Sequence, residues 1–371
     1  MKQFKLIVSL LLSIVLVIGC ADPKILERVG IVILIGYDAG EEDKVTVTSV
    51  VRQVNPDYQS TVNTHTETEA TGEKTRLKVN LESSKKIVAG QMRVVLFGED
   101  IAKEGLDEML HALIMNSEIS TSIYVAVVED SAQTLIEGQY KNVTDIGQHI
   151  YGIIEHNIEQ QNAVSSTLHE VVRDFYSPLR DPLIPIVKKN GENIEISGTA
   201  LFHKGAMVGE FPIEDTLYLM MARGKFRHGT LELELPSEGL SAKDDLETIP
   251  ISIDSIKSYR QMKLVDPAVP EFDLKVIVQC RLLEIHSSIS TADRTIVEKL
   301  EKGINKILES EISRIVNKSI ELHSDHFGFG EKYRADTRNA KLTEEEWHEI
   351  YKNLKVNVKV QSTIVRDGVF E

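Results

Sequence analysis

From residue 296 to residue 320 the chain carries one continuous apolar stripe. Ile296/Val297, Leu300, Ile304, Ile307/Leu308, Ile312, Ile315/Val316 and Ile320 recur three or four residues apart, with charged side chains between them. That spacing is one face of a long amphipathic helix. Such a stripe belongs on a sheet of the same chain rather than on a partner. Strand patterns flank it on both sides. Phe272, Leu274, Val276, Val278, Cys280 and Leu282 alternate before it, and Leu354, Val356, Val358, Val360, Ser362 and Ile364 alternate after it. Ser290-Thr-Ala-Asp293 resembles a capping box that opens the long helix. Thr343-Glu-Glu-Glu346 is a second one, opening a helix that sets Trp347, Ile350/Tyr351 and Leu354 on one side.

Upstream, residues 29–35 and the alternating Val45, Val47, Ser49 and Val51 read as a hairpin around a turn-rich 38–43. Residues 55–75 are polar and read as a long loop or a weak edge strand. Short buried strands follow at 92–97 and 122–128. Helical patterns run from Gly98 to Met115, interrupted at Gly105, and then from Ser131. Two further helices occupy 143–176. The prolines at 178, 182 and 185 then break the pattern, which places a domain boundary near residue 190. A hairpin at 194–211, a short helix from Ile213 and strands near 231–235 and 249–256 complete the second half. Helices and strands neither alternate strictly nor segregate, so the expected class is α+β. We expect a multi-domain chain with mixed or antiparallel sheets and packed helices: a signal at 1–19, one domain at 20–190 and another at 191–371. A split of the last near residue 265 is the alternative.

The N-terminus reads as a signal, and the chain is expected to leave the cytoplasm. Lys2 and Lys5 precede an apolar run at 6–18, and Gly19 then precedes Cys20, which is the order of a secretory signal. The run is shorter than the roughly 20 apolar residues of a comfortable membrane span. Val17-Ile18-Gly19-Cys20 resembles a bacterial lipobox, in which Cys20 takes a diacylglycerol and becomes the new N-terminus. The body is then expected on the extracytoplasmic face of a membrane, held by acyl chains at about 0.8 kcal/mol per buried CH₂.

Charge removes other functions. Loss of Lys2 and Lys5 takes the net charge of the 371-residue chain from −15 to −17. That balance is wrong for nucleic acid, whose phosphates demand basic patches, and for lying flat on anionic lipid. With two cysteines in the chain and Cys20 acylated, Cys280 has no partner for a disulfide. It sits on the inward side of its strand as a small hydrophobe.

No constellation is specific for catalysis. His323-Ser-Asp-His326 has metal-ligand spacing, but a third ligand is not evident and the segment follows a helix C-terminus, where His is favoured by the dipole. His149 and His156 stand two helical turns apart, about 10 Å, too far to share one ion. There is no Gly-x-Ser-x-Gly elbow and no phosphate loop. We therefore expect no catalytic residues, no cofactor and no metal. Asp325-His-Phe-Gly-Phe-Gly330 reads as a tight structural connection, with positive-φ corners at its glycines and Phe327 and Phe329 tucked inward.

That same stretch, followed by Trp347, resembles the D-x-F-G-F-G…W segment of the Ger(x)C spore-germination lipoproteins. Four other segments resemble the family in the same order: the lipobox, Leu26 to Asp38 with its closing Gly-Tyr-Asp, Gln91 to Leu106 with Phe97-Gly-Glu-Asp-Ile-Ala-Lys-Glu-Gly-Leu106, and Ile196-Ser-Gly-Thr-Ala-Leu-Phe202 with Val208-Gly209. The chain departs from the family pattern at Ala21, where many members have Trp, and at Asn116-Ser-Glu118. It also lacks a proline in 331–342. The resemblance implies a non-enzymatic, lipid-anchored subunit of a nutrient germinant receptor, needed for receptor assembly and the germination response. It would lie on the outer face of the spore inner membrane, beside membrane-embedded A and B subunits. Cys20 is the only functional residue that the family pattern transfers. The alternative is a substrate-binding lipoprotein of an importer, which calls for two similar α/β lobes around a cleft.

Overall fold

A computed structural model describes residues 29–365 apart from 43, 56–57, 70–71, 84, 225, 238–239, 241–246, 286–288, 290 and 339–340. Residues 1–28, Cys20 among them, and Ser290 lie outside the described residues. In the first half, β1 (Val29–Ala39), β2 (Val45–Asn55) and β3 (Tyr58–Glu69) form an antiparallel meander. From the other edge of β1 the sheet continues in parallel through β5 (Val94–Gly98), β6 (Tyr124–Val128) and β7 (Leu183–Asn190). β8 (Asn193–His203) and β9 (Ala206–Pro212) then close it antiparallel. The order is β3-β2-β1-β5-β6-β7-β8-β9, with the short β4 (Lys86–Val88) pairing with the start of β1.

The central strands read as unbroken apolar runs because helices cover both faces. On one face Val95, Phe97, Val125 and Val127 pack on α2 (Glu99–Glu104), α3 (Asp107–Met115) and α6 (Leu168–Phe175) through Ile101, Leu110 and Leu168. On the other, Val94, Leu96, Ala126 and Val128 pack on α4 (Ala132–Ile136) and α5 (Ile146–Glu159) through Leu135, Ile150 and Ile154. His149 and His156 lie on α5, and neither joins a metal-ligating group among the described residues.

The second sheet has the order β10 (Leu231–Pro236), β11 (Thr248–Asp266), β12 (Glu271–Ile285) and β13 (Lys355–Ile364), with β12 and β13 parallel. Its inward residues, among them Leu233, Ile251, Leu274, Val276 and Val278, meet the stripe of α8 (Arg294–Glu321) at Leu300, Ile304, Leu308, Ile312 and Val316. Cys280 joins that core, and burial pushes its thiol up to about 12, so it stays an unreactive thiol. α8 also protects the sheet edge. Glu309 accepts from the Val360 N–H (2.9 Å), Asn305 from Ser362 (2.6 Å) and Glu301 from Ile364 (2.8 Å). Polar side chains one helical turn apart thus occupy alternate donors of β13, which an uncovered edge would offer to another chain.

The expected class and the long helix are found, and four details add to the sequence reading. Asp293 is the N-cap of α8, accepting from the Thr295 N–H at 2.8 Å. The polar stretch after residue 55 is a full twelve-residue edge strand, β3, whose Thr66 and Thr68 meet Thr48 and Thr46 across the ladder. It leads into a helix, α1 (Gly72–Glu82), that shows no apolar periodicity. Pro185 lies inside β7, one residue before the pairing with β6 begins at Ile186, so its missing N–H costs no ladder bond there. The proposed boundary near 190 falls at the turn of the β7–β8 hairpin, where Asn190 faces Asn193, and the first sheet runs on through β9.

Candidate functional site: the aspartate–histidine junction between the two sheets

Four segments meet where the sheets join: residues 179–182 ahead of β7, the turn after β8, the connection after α8, and α10 (Glu344–Tyr351). The connection begins where α8 ends. His323 N–H bonds the Ile320 carbonyl and Ser324 N–H bonds the Ser319 carbonyl, both at 3.0 Å, and His323 adopts φ +58°. This is a Schellman closure with histidine in the left-handed position that glycine ordinarily takes. The reversal sends Asp325 inward, where it is 1% exposed.

Asp325 is the hub. Its Oδ1 accepts from the backbone N–H of Gly328 (2.9 Å) and Phe329 (3.0 Å), and its Oδ2 from Gly330 N–H (2.8 Å) and Trp347 Nε1 (3.1 Å). Three of these donors are the free N–H groups at the start of α9 (Phe329–Thr337), which no intrahelical carbonyl can satisfy. Burial raises the carboxyl and the four donors pull it back down, which leaves it at about 6 and ionised at neutral pH. Gly328 has the expected positive φ of +77°. Gly330 does not: it lies in α9, and a Cβ there would stand 2.6 Å from Trp347 Nε1 and 2.9 Å from the Leu179 carbonyl. Its role is close approach. Phe327 and Phe329 are fully buried, as expected, and Tyr351 ties the segment down by donating to the Ser324 carbonyl at 2.9 Å.

A second aspartate pairs with the first. Asp325 N–H donates to Asp181 Oδ2 (2.7 Å) and Asp181 N–H to the Asp325 carbonyl (3.1 Å), so the segment before β7 is bound to the segment after α8. Asp181 is 9% exposed, and loss of water together with the nearby Asp325 charge raises its carboxyl to about 8. Its Oδ1 faces His203 Nδ1 at 4.0 Å. The His203 ring lies edge-on to His348, centroids 4.4 Å apart, and 6.0 Å from His323. Burial lowers His203 to about 4, so it is neutral.

The three side chains singled out by spacing therefore go separate ways. Asp325 turns into the helix start, and His323 turns toward His203. His326 is fully buried, with Nε2 3.4 Å from Ser319 Oγ and its ring on Phe327 and Phe211. What the fold gathers is Asp181, His203 and His348, whose ligand atoms lie within 4.8 Å of one another. They come from segments distant in sequence, so no local spacing could disclose them.

His326 makes a testable pH contribution. Burial holds its pKa well below the usual 6.5, and Arg223, Arg180 and Arg260 further oppose a positive ring. The unfolded chain takes up a proton near pH 6.5 that the folded chain refuses, so stability is lost as pH falls below that value, by up to about 1.4 kcal/mol per pH unit. His326→Gln should lose less stability than the parent between about pH 7.5 and about pH 5.5, read as urea midpoints. An unchanged pH slope would show that the ring is not buried as a neutral group.

Comparison with known proteins matches the chain in two stretches. A family model described as the spore germination protein N-terminal domain matches residues 22–189, and one described as spore germination B3/GerAC like, C-terminal, matches 197–368. Spore germination protein GerQC of Bacillus cereus is 24% identical over 366 residues, covering 98% of this chain and 99% of that one. Spore germination protein KC of Bacillus subtilis (strain 168) is 21% identical, covering 99% and 97%. The crystal structure of the GerBC protein superposes with a TM-score of 0.55 at 16% identity, over 90% of this chain and 97% of that one, so the fold is shared. With both family models matched in order along nearly the whole chain, this protein belongs to the Ger(x)C family of spore germination proteins.

Proposed function

We propose that the chain is the lipid-anchored, non-enzymatic C subunit of a nutrient germinant receptor, required for receptor assembly and for the germination response. The observation that carries the reading is the family match running through both halves behind a lipobox-like Val17-Ile18-Gly19-Cys20. In this reading Cys20 bears the diacylglycerol, and a module at 20–190 and another at 191–371 stand on the outer face of the spore inner membrane. The modules dock against the membrane-embedded A and B subunits. Two features support a scaffold over an enzyme or an importer's binding protein. The buried carboxylate of Asp325 is saturated by four donors instead of facing an open cleft. The two sheets, nine-stranded and four-stranded, are not a pair of similar lobes. No helix among the described residues is long and apolar enough to cross a membrane, which fits attachment through an acylated N-terminus.

Cys20→Ala tests the anchor. The variant is expected to leave the spore membrane fraction and to abolish germination on the nutrient this receptor serves, with spore yield unchanged. Retention in the membrane with intact germination on every nutrient tried would remove the lipid anchor from the account.

A further inference from the structure

We propose that Asp181, His203 and His348 bind a divalent transition-metal cation, zinc being the best match, and that the ion fastens the first sheet to the C-terminal helices. The donor set is two imidazole nitrogens and one carboxylate oxygen, which suits zinc and leaves a fourth position. The ligand atoms lie within 4.8 Å of one another, so movements of about an ångström bring them to the roughly 2 Å reach of zinc.

The hydrogen bonding is already that of a ligand set. His203 Nδ1, His348 Nδ1 and His323 Nδ1 are all buried and without a hydrogen-bond partner among the described residues. Buried polar atoms are nearly always satisfied, so three orphans at one junction need an explanation. Asp181 is oriented, its Oδ2 held by the Asp325 N–H while Oδ1 faces His203. His323, whose ring stands 6.0 Å from that of His203, is the nearest candidate for the fourth position.

The placement gives the ion a structural task. Asp181 precedes β7 and His203 ends β8, while His348 lies on α10 beside Trp347. A cation here ties two segments of the first sheet to the C-terminal helix α10, at the point where Asp325 already joins them. This inference is independent of the germination role.

The test uses the full chain, extracted in detergent and purified on an affinity tag free of histidine. After chelation and dialysis it is titrated with zinc chloride, and bound zinc is measured by elemental analysis. The parent should retain about one equivalent and melt at a higher temperature with zinc than without, because the ion binds only the folded state. His203→Gln and His348→Gln should each bind more than about ten-fold more weakly and lose the zinc-dependent rise in melting temperature. Cobalt(II) in the parent should show ligand-field absorption of low-coordinate nitrogen and oxygen ligands, a readout that holds even if a variant fails to fold. A parent that keeps no zinc, or a His203→Gln/His348→Gln double variant that keeps as much as the parent, overturns the proposal.

Discussion

Asp325→Ala is expected to destabilise the protein by at least about 4 kcal/mol, a large part of the 5–15 kcal/mol that holds an ordinary domain together. The mutation deletes one small carboxylate but strands four buried donors: the N–H groups of Gly328, Phe329 and Gly330, and Trp347 Nε1. A buried donor left unmade costs about 1–3 kcal/mol, and bonds to a charged acceptor lie at the upper end. The costs do not simply add, since α9 can shift and admit water, hence the lower bound. Asp325→Asn is informative because it is isosteric. Whichever way the amide turns, one end presents hydrogens to two donors, either Gly328 and Phe329 or Gly330 and Trp347. The expected cost is about 2–4 kcal/mol. An Asn variant within about 0.5 kcal/mol of the parent in urea unfolding would mean that the carboxylate is not the hub.

Trp347→Ala should cost a further-reaching 3–5 kcal/mol, the range for emptying a large aromatic site. The indole is fully buried between Tyr333 and Tyr351, with ring centroids 5.6 and 5.7 Å away, and it lies against the bare α-carbon of Gly330. Trp347→Phe separates packing from hydrogen bonding. It keeps most of the ring and removes the Nε1 donor, for about 1–2 kcal/mol. Combined with Asp325→Asn it should cost less than the two singles together, because removing the indole N–H relieves a donor facing a donor. The coupling should exceed about 0.5 kcal/mol, as it does for residues sharing one network. Trp347 is the only tryptophan in the chain, so in the Asp325 variants its emission reports directly on this junction. Full additivity would contradict the network.

How much of this was legible in the sequence depends on the range of the interaction. The stripe of α8 and the alternation of β12 and β13 are periodic signals within single segments, and they survive folding because one face of each is buried in one core. The Thr343 capping box is likewise local, its side chain and that of Glu346 exchanging bonds as expected. Gly328 followed from the left-handed corner the chain needs. Gly330 could not, since its reason is an indole brought in by a different helix. The edge cover of β13 is not legible in the sequence, because Glu301, Asn305 and Glu309 carry the pattern of the solvated face of an amphipathic helix. His323 and His326 have metal-ligand spacing, but the Schellman turn sends the two rings apart. The group that does converge, Asp181, His203 and His348, is joined only by tertiary structure.

The most direct measurement is germination of spores lacking this chain, followed on a panel of nutrients and compared with a strain carrying the restored gene. The account predicts that the response to one nutrient, or to one nutrient combination, is lost and then recovered on complementation, while spore yield and heat resistance are unchanged. Spores that lack the chain yet respond normally to every nutrient that triggers the parent would contradict its place in a germinant receptor.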